Sequence, residues 1–270
     1  MTGLLGEIRK INKLGDYTIA EPFAGGAGAS LGLLYLEETP AILINDVDPA
    51  IYNFWWSLLN KPSLFLKKLD SVPINVDEWR RQRKIYRSSA NVSRVGRGFS
   101  AFYLNRCNRS GIVMNGGPIG GIEQAGAWKI DARFNKEDLR RRCEKVHDYK
   151  DRISVSNQDG LDFISDLGRG KNFLFIDPPY FEKGATLYLN SLNESYHKRL
   201  ATKLKRLEKA AWVLTYDDCP EIRDMYSGWA SIRSFDLRYT ASERRKGKEI
   251  MITPKGLCLP STQSSAAIGW

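Results

Sequence analysis

The tetrapeptide Asp177-Pro178-Pro179-Tyr180 is the most informative stretch of this 270-residue chain. It follows the apolar run Phe173-Leu174-Phe175-Ile176, which reads as a buried strand. The motif therefore stands at the carboxyl end of a strand, where open α/β sheets bind their ligands. Two prolines fix the backbone and remove two N–H donors, while their carbonyls stay available as acceptors. Asp177 adds a carboxylate acceptor and Tyr180 an aromatic face. Two acceptors beside a stacking ring suit the exocyclic amine of a nucleobase. Such an amine is a poor nucleophile because its lone pair is delocalised into the ring. Accepting hydrogen bonds from both of its N–H groups pulls the nitrogen toward tetrahedral geometry and aims the lone pair at an electrophilic methyl group. This is positioning plus electrostatic preorganisation, with no covalent intermediate on the protein.

A second constellation lies near the N-terminus. Glu21-Pro22-Phe23-Ala24-Gly25-Gly26-Ala27-Gly28 stands where a short apolar strand turns into a helix. Small residues let the backbone approach a ligand closely, and a helix N-terminus attracts negative groups. Asp46 comes 20 residues after Gly26, at the end of the next strand. A carboxylate there can accept hydrogen bonds from both ribose hydroxyls of a nucleoside cofactor. Taken alone, this cradle could serve NAD, FAD or S-adenosylmethionine. Its G-G-x-G pattern departs from G-x-G-x-x-G, which lowers the dinucleotide reading.

The elements that must position these residues follow an α/β pattern. Strands are expected over 18–23 and 41–46, with a turn at 25–30 and a helix over 31–38 that Pro40 stops. From about 50 to 150 the character changes. IYNFWWSLLN, EWRRQRKIYR and NKEDLRRRCEKV read as helices, the last capped by Asn135. Between them FYLNRCNRSGIVMNGGPIGG (102–121) reads as turn-rich. The α/β pattern resumes with strands over 152–159, 172–180 and 210–218 and a basic helix over 194–210. Segments 231–239 and 247–253 form an expected antiparallel pair. The domain expectation is a discontinuous catalytic domain over 1–50 and 151–256, a helical module inserted at 51–150, and a disordered tail over 257–270.

Composition narrows the partners. Forty-one Lys and Arg against 31 Asp and Glu give a net charge of +10, which points to a polyanion such as nucleic acid. No stretch approaches the roughly 18 apolar residues of a membrane helix, and the first residues are too short in apolar character for a secretory signal. Cys107, Cys143, Cys219 and Cys258 lie far apart and His147 and His197 are isolated, so no metal site is expected. A cytoplasmic chain with reduced thiols is the reading.

With these residues in hand, the chain resembles the N6-adenine-specific DNA methyltransferases of the Dam type. The resemblance is carried by EPFAGGAG (21–28), IND (44–46), FYLNR (102–106), WKIDARFNKEDL (128–139) and FIDPPY (175–180). WVLTYDDCPEIRDMY (212–226) and KGKEIMI (246–252) extend it, so that it spans roughly 15–255. It implies a Rossmann-like mixed sheet ending in an antiparallel hairpin, with S-adenosylmethionine as methyl donor. Glu21, Pro22, Phe23, Ala24, Gly25, Gly26 and Gly28 would line the cofactor, Asp46 would hold its ribose, and Asp159 would lie near its adenine. Asp177 would touch both the cofactor and the target amine, with Pro178, Pro179 and Tyr180 completing the catalytic set. Residues 51–150 would recognise the target.

The resemblance also implies an aromatic residue and a Gly-x-Lys element ahead of the first helix, and MTGLLGEIRKIN has neither. That departure keeps open a non-catalytic nucleic-acid-binding relative. RNA adenine and cytosine N4 are also open as substrates, since the two-acceptor logic serves either amine. In duplex DNA the adenine must be flipped out of the stack to reach Asp177 and Tyr180. Basic residues of the module would grip phosphates, which positions the duplex without reading it. Asn105, Arg106, Asn108, Arg109 and Arg133 are the candidate DNA-binding residues, since Asn can read adenine and Arg guanine. A monomer is the expected state, and the biological setting, such as restriction–modification, is left open.

Overall fold

The computed structural model describes residues 1–88, 91–167, 170–181, 192–207, 210–236 and 248–260. The chain divides into two units. The first gathers residues 1–45 with the described residues of 158–184 and from 192 onward; the second holds 46–157.

The strands in chain order are β1 (Thr18–Glu21), β2 (Ile42–Asn45), β3 (Ile153–Ser156), β4 (Asn172–Ile176), β5 (Ala211–Asp217), β6 (Ala230–Asp236) and β7 (Lys248–Pro254). β3 belongs to the second unit. The first unit's strands lie in the order β2-β1-β4-β5-β7-β6. β2, β1, β4 and β5 run parallel. β7 enters antiparallel between β5 and β6, pairing Asp217 with Glu249 on one side and Ile232 with Ile252 on the other. The mixed sheet with a closing antiparallel pair is thus the one expected. Connections leave β1 toward β2 on one side and β4 lies on the other, so β1 and β4 flank the switch point of the sheet. Ligands of open α/β sheets bind outside the strand carboxyl ends at that point.

Helices α1 (Thr2–Ile11), α2 (Gly28–Tyr35), α8 (Gly160–Asp166), α9 (Glu194–Arg206) and α10 (Pro220–Tyr226) belong to this unit. All seven residues of β5 are buried, as a strand covered on both faces requires. Trp212, Leu214 and Tyr216 pack in one core with Ala20, Leu174, Ile176, Leu161, Leu200, Leu204, Ile250 and Ile252. α2 starts at Gly28, earlier than the expected 31, because the turn before it is tighter than composition alone reveals. At the other end of the sequence, Cys258 does not belong to a disordered tail. Its N–H donates to Asn12 Oδ1 at 2.9 Å and its carbonyl accepts from Asn12 Nδ2 at 2.7 Å. Residues 261–270 of the expected tail lie outside the described residues.

The second unit is mainly helical: α3 (Pro49–Asn60), α4 (Pro62–Ser71), α5 (Val76–Arg87), α6 (Arg94–Cys107) and α7 (Lys136–Asp148). Its centre is aromatic. Phe65 meets Phe54, Phe99 and Phe102 at centroid distances of 5.3–5.7 Å, and Phe134 closes against Phe102 and Tyr103. α3 and α6 approach so closely that a Cβ on Gly98 would stand 2.4 Å from the Phe54 backbone nitrogen. Asn135 caps α7 as expected, accepting from the Asp138 N–H at 3.0 Å. The turn-rich reading of 102–121 is corrected: α6 continues to Cys107. Phe99, Tyr103 and Cys107 repeat every four residues on its buried face, and that stripe outweighs the local Asn and Arg content. Among the described residues no helix is long and apolar enough to cross a membrane.

Candidate active site

The first carboxylate of the site ends β1. Glu21 is buried, and its Oε1 accepts from the Ser30 N–H at 2.9 Å and from the Ser30 hydroxyl. Loss of water around it pushes its carboxyl up to about 7, against the Ser30 hydrogen bonds and with a smaller push from Asp177. Beyond Glu21 the chain makes the turn that the small residues foretold. Gly25 has φ +48° and Ala27 φ +45°. For Ala27 the left-handed region costs about 1–2 kcal/mol. Ala24 holds the turn from both sides, its N–H on the Asn45 carbonyl at 2.9 Å and its carbonyl on the Ala27 N–H at 2.7 Å. Apart from the adjoining chain, no atom lies within 4 Å of where a side chain would begin at Gly25, Gly26 or Gly28. This open floor beside a desolvated carboxylate is what a cationic nucleoside cofactor needs.

Phe23 covers one flank. Its ring lies edge-on to Tyr196 of α9 at 6.4 Å and directly over Gly160, where a Cβ would stand 2.5 Å from the ring. Asp159 caps α8, with its Oδ1 accepting from the Leu161 N–H at 2.8 Å and the Tyr196 hydroxyl at 3.2 Å. Asn45 is a member of the site that the sequence reading passed over. Fully buried at the end of β2, it donates to the carbonyls of Pro22 and Gln158, both at 2.9 Å, and accepts from the Gln158 N–H. One side chain thus fixes the exit of β1 to the approach to α8. Its signal was position alone, the residue before an acidic strand end. Asp46 is next in the chain and belongs to the second unit, where its Oδ1 accepts from the Asp48 N–H at 2.9 Å.

The second carboxylate follows β4. Asp177 Oδ1 accepts from the buried Thr215 hydroxyl of β5 at 2.6 Å. Crowding by protein atoms pushes the Asp177 carboxyl up to about 6, Thr215 opposes the rise, and Glu249 adds to it. Asp177 is nevertheless open to solvent on one side, so water screens part of that rise and its direction is what bears on the chemistry. Pro178 is buried and Pro179 and Tyr180 are half-buried. The Tyr180 hydroxyl donates to Glu249 Oε1 at 2.8 Å, and the Phe181 N–H donates to Asp217 Oδ1 at 3.1 Å. Sequence reasoning did not single out Thr215, Asp217 or Glu249. Their partners lie 36 to 69 positions away, beyond the reach of any local pattern.

The candidate DNA-binding residues all lie in the second unit, around the end of α6. Asn108 is fully buried; its Oδ1 accepts from Trp79 Nε1 at 2.6 Å and its Nδ2 donates to the Ile112 carbonyl at 2.5 Å. A fully buried amide bonded at both ends braces the loop and is out of reach of a base edge. Asn105 donates to the Gly111 carbonyl and accepts from Arg106. Arg109 and Arg133 are exposed. Arg106 has its pKa lowered by desolvation first and by the neighbouring Arg133 and Arg142 next. Cations crowded in this way favour an arriving anion. Other basic groups are paired at home: Arg80 with Asp77, Arg81 with Glu78, Arg140 with Asp70 and Glu144, and Arg141 and Arg142 with Asp138.

A parallel sheet closed by an antiparallel strand pair, with a glycine-rich turn after β1 and Asp-Pro-Pro-Tyr after β4, defines a Rossmann-like methyltransferase. The chain belongs to the family of D12 class N6 adenine-specific DNA methyltransferases, whose model matches residues 2–241. It is by that membership a DNA (adenine-N6)-methyltransferase, and the family implies S-adenosylmethionine as the methyl donor. Among solved structures it is similar to a conserved hypothetical protein from Streptococcus pyogenes, at 11% identity over 94% of this chain and 96% of the other, with a TM-score of 0.37. It is also similar to the rRNA methyltransferase aviRa from Streptomyces viridochromogenes, at 14% identity over 91% and 84% of the two chains, again with a TM-score of 0.37. No curated protein matches it.

Proposed function

We propose that this enzyme methylates N6 of an adenine flipped out of duplex DNA, with Asp177-Pro178-Pro179-Tyr180 as the catalytic set. The observation that carries the reading is the pair of carboxylates at the switch point, Glu21 ending β1 and Asp177 following β4. Asp177 and the Pro178 carbonyl accept the two N–H groups of the target amine. Both hydrogen bonds strengthen as the nitrogen turns tetrahedral and positive, which is preferential binding of the transition state. The Tyr180 ring stacks on the base. Asp177, with its raised pKa, is suited to take the proton that the methylated nitrogen sheds.

S-adenosylmethionine, when bound, supplies an electrophilic methyl group. Glu21, Pro22, Phe23, Ala24, Gly25, Gly26 and Gly28 would form its seat, with Asp46 toward its ribose and Asp159, through its α8 cap, toward its adenine. Glu21 and Asp177 would offset its positive charge. Arg106, Arg109 and Arg133 hold phosphates of the duplex.

The test is transfer of a tritiated methyl group to adenine-unmethylated DNA and, in parallel, to RNA, followed by nucleoside analysis. The expected product is N6-methyldeoxyadenosine from DNA with no label in RNA, absent with Asp177→Ala although that variant unfolds cooperatively. Label in RNA or in cytosine would overturn the substrate reading. Wild-type transfer by Asp177→Ala would overturn the catalytic one.

A further inference from the structure

Asp217 and Glu249 are an odd pair to find inside a protein. They face each other across the antiparallel β5–β7 register, and both are buried, at 9% and 6% exposure. Paired residues on adjacent strands point to the same face, so two carboxyl groups stand side by side. Two apolar residues there would satisfy the sheet at lower cost. What the carboxylates do instead is reach out of the sheet to the chain that follows Asp177. Glu249 accepts the Tyr180 hydroxyl and Asp217 accepts the Phe181 N–H. The Phe181 ring then lies edge-on against the buried His197 at 5.2 Å, and His197 Nδ1 is 2.6 Å from the Tyr216 hydroxyl. Tyr180 is therefore held at its tip by one carboxylate, while the residue after it is held at its backbone by the other.

We propose that Glu249 and Asp217 are positioning residues that set the angle of the Tyr180 ring and the course of the chain after Asp177, resting on the reading of Tyr180 as the ring against which the target base stacks. A tyrosine is used here because its hydroxyl supplies a third fixed point for the ring; phenylalanine would stack equally well and turn freely. The β5–β7 strand ends thus belong to the methyl-transfer site without touching the substrate.

The experiment compares wild type, Tyr180→Phe, Glu249→Ala, Glu249→Gln and the Tyr180→Phe/Glu249→Ala double variant on adenine-unmethylated DNA at saturating S-adenosylmethionine. Misplacement of a stacking group lowers kcat, so Tyr180→Phe and Glu249→Ala are each expected to lose about 10- to 100-fold in kcat. The double variant is expected to lose no more than either single one, since both remove the same contact. Glu249→Gln keeps an acceptor and should recover most of the rate. Cofactor affinity should stay within about twofold throughout, because a loss confined to kcat marks transition-state positioning rather than general damage. Tyr180→Phe at the wild-type rate, or losses that multiply in the double variant, would overturn the proposal.

Amide hydrogen exchange of the peptide spanning 177–181 reads the same contacts without catalysis. It should speed up in Asp217→Ala and Glu249→Ala while strands β1 and β4 stay protected. Unchanged exchange there would overturn the positioning role even if the wild type transferred no methyl group to DNA. That second result alone would sink the proposed function and leave the clamp standing.

Discussion

At the ends of β1, β5 and β7 the first unit buries Glu21, Thr215, Asp217 and Glu249, and each has a hydrogen-bond partner in another part of the fold. In the second unit Asp70, Asp77, Asp138 and Glu144 stand toward solvent and pair with arginines, four of these pairs within about one helical turn of the same helix. Its interior is instead filled by Phe54, Phe65, Phe99, Phe102 and Phe134. One region sets polar groups where water has been removed, which raises the worth of every hydrogen bond there. The other keeps most of its charges in water, where each pair contributes little, with Glu78 buried against Arg81 and Gln82 as an exception, and leaves stability mainly to packing. The unit that holds Asp177 and the unit that holds the exposed arginines thus draw on different physics within one chain.

The heaviest blow to that contrast falls on packing. Phe65 is fully buried among three aromatic rings, so Phe65→Ala should cost about 3–5 kcal/mol of stability, read as a lowered urea midpoint. A loss under about 1 kcal/mol would mean that the aromatic cluster is not what holds the helices. Next in size is a pH effect at the strand ends. In the folded protein Glu21 keeps its proton up to about 7, against an ordinary value of 4.5. The folded state then binds more protons than the unfolded chain within that window, so stability falls as pH rises from about 4.5 through about 7. In Glu21→Gln this decline should shrink, as urea titrations at the two ends of the window would show. An unchanged slope would place the titration elsewhere. The smallest effect concerns the exposed cations. Arg133→Ala should weaken DNA binding alike for all sequences and reduce the slope of log affinity against log salt by about one. A change confined to particular sequences would instead make Arg133 a reader of bases.

What the sequence disclosed and what it withheld divide along chain distance. Asn135 as a cap, β4 running into Asp177, and the glycine turn after β1 all depend on neighbours within a few residues, and each is seen in the fold. Asn45 looks unremarkable because its partners are Pro22 and Gln158, one of them 113 positions on. Glu249 reads as an ordinary polar residue of an edge strand until β7 is placed beside β5. Asn108 misled in the other direction. In an Asn- and Arg-rich stretch it looks like a base reader, yet Trp79 and the Ile112 carbonyl occupy it. Local composition reports which side chains can bond; only the fold decides what they bond to.

The order of the strands has a consequence for synthesis on the ribosome. β1 is made early, but its neighbour β4 emerges some 150 residues later, and Asn12, the residue after α1, meets Cys258 later still. Helices α3 to α7 draw their contacts from within the stretch 46–157. Contacts of short reach form faster than those that must close long loops. The inserted unit can therefore complete its core while the first strands still wait for their partners. The unit that holds Glu21 and Asp177 is the last to be assembled, and a nascent chain interrupted before β4 would hold the arginines of the inserted unit but not Asp177.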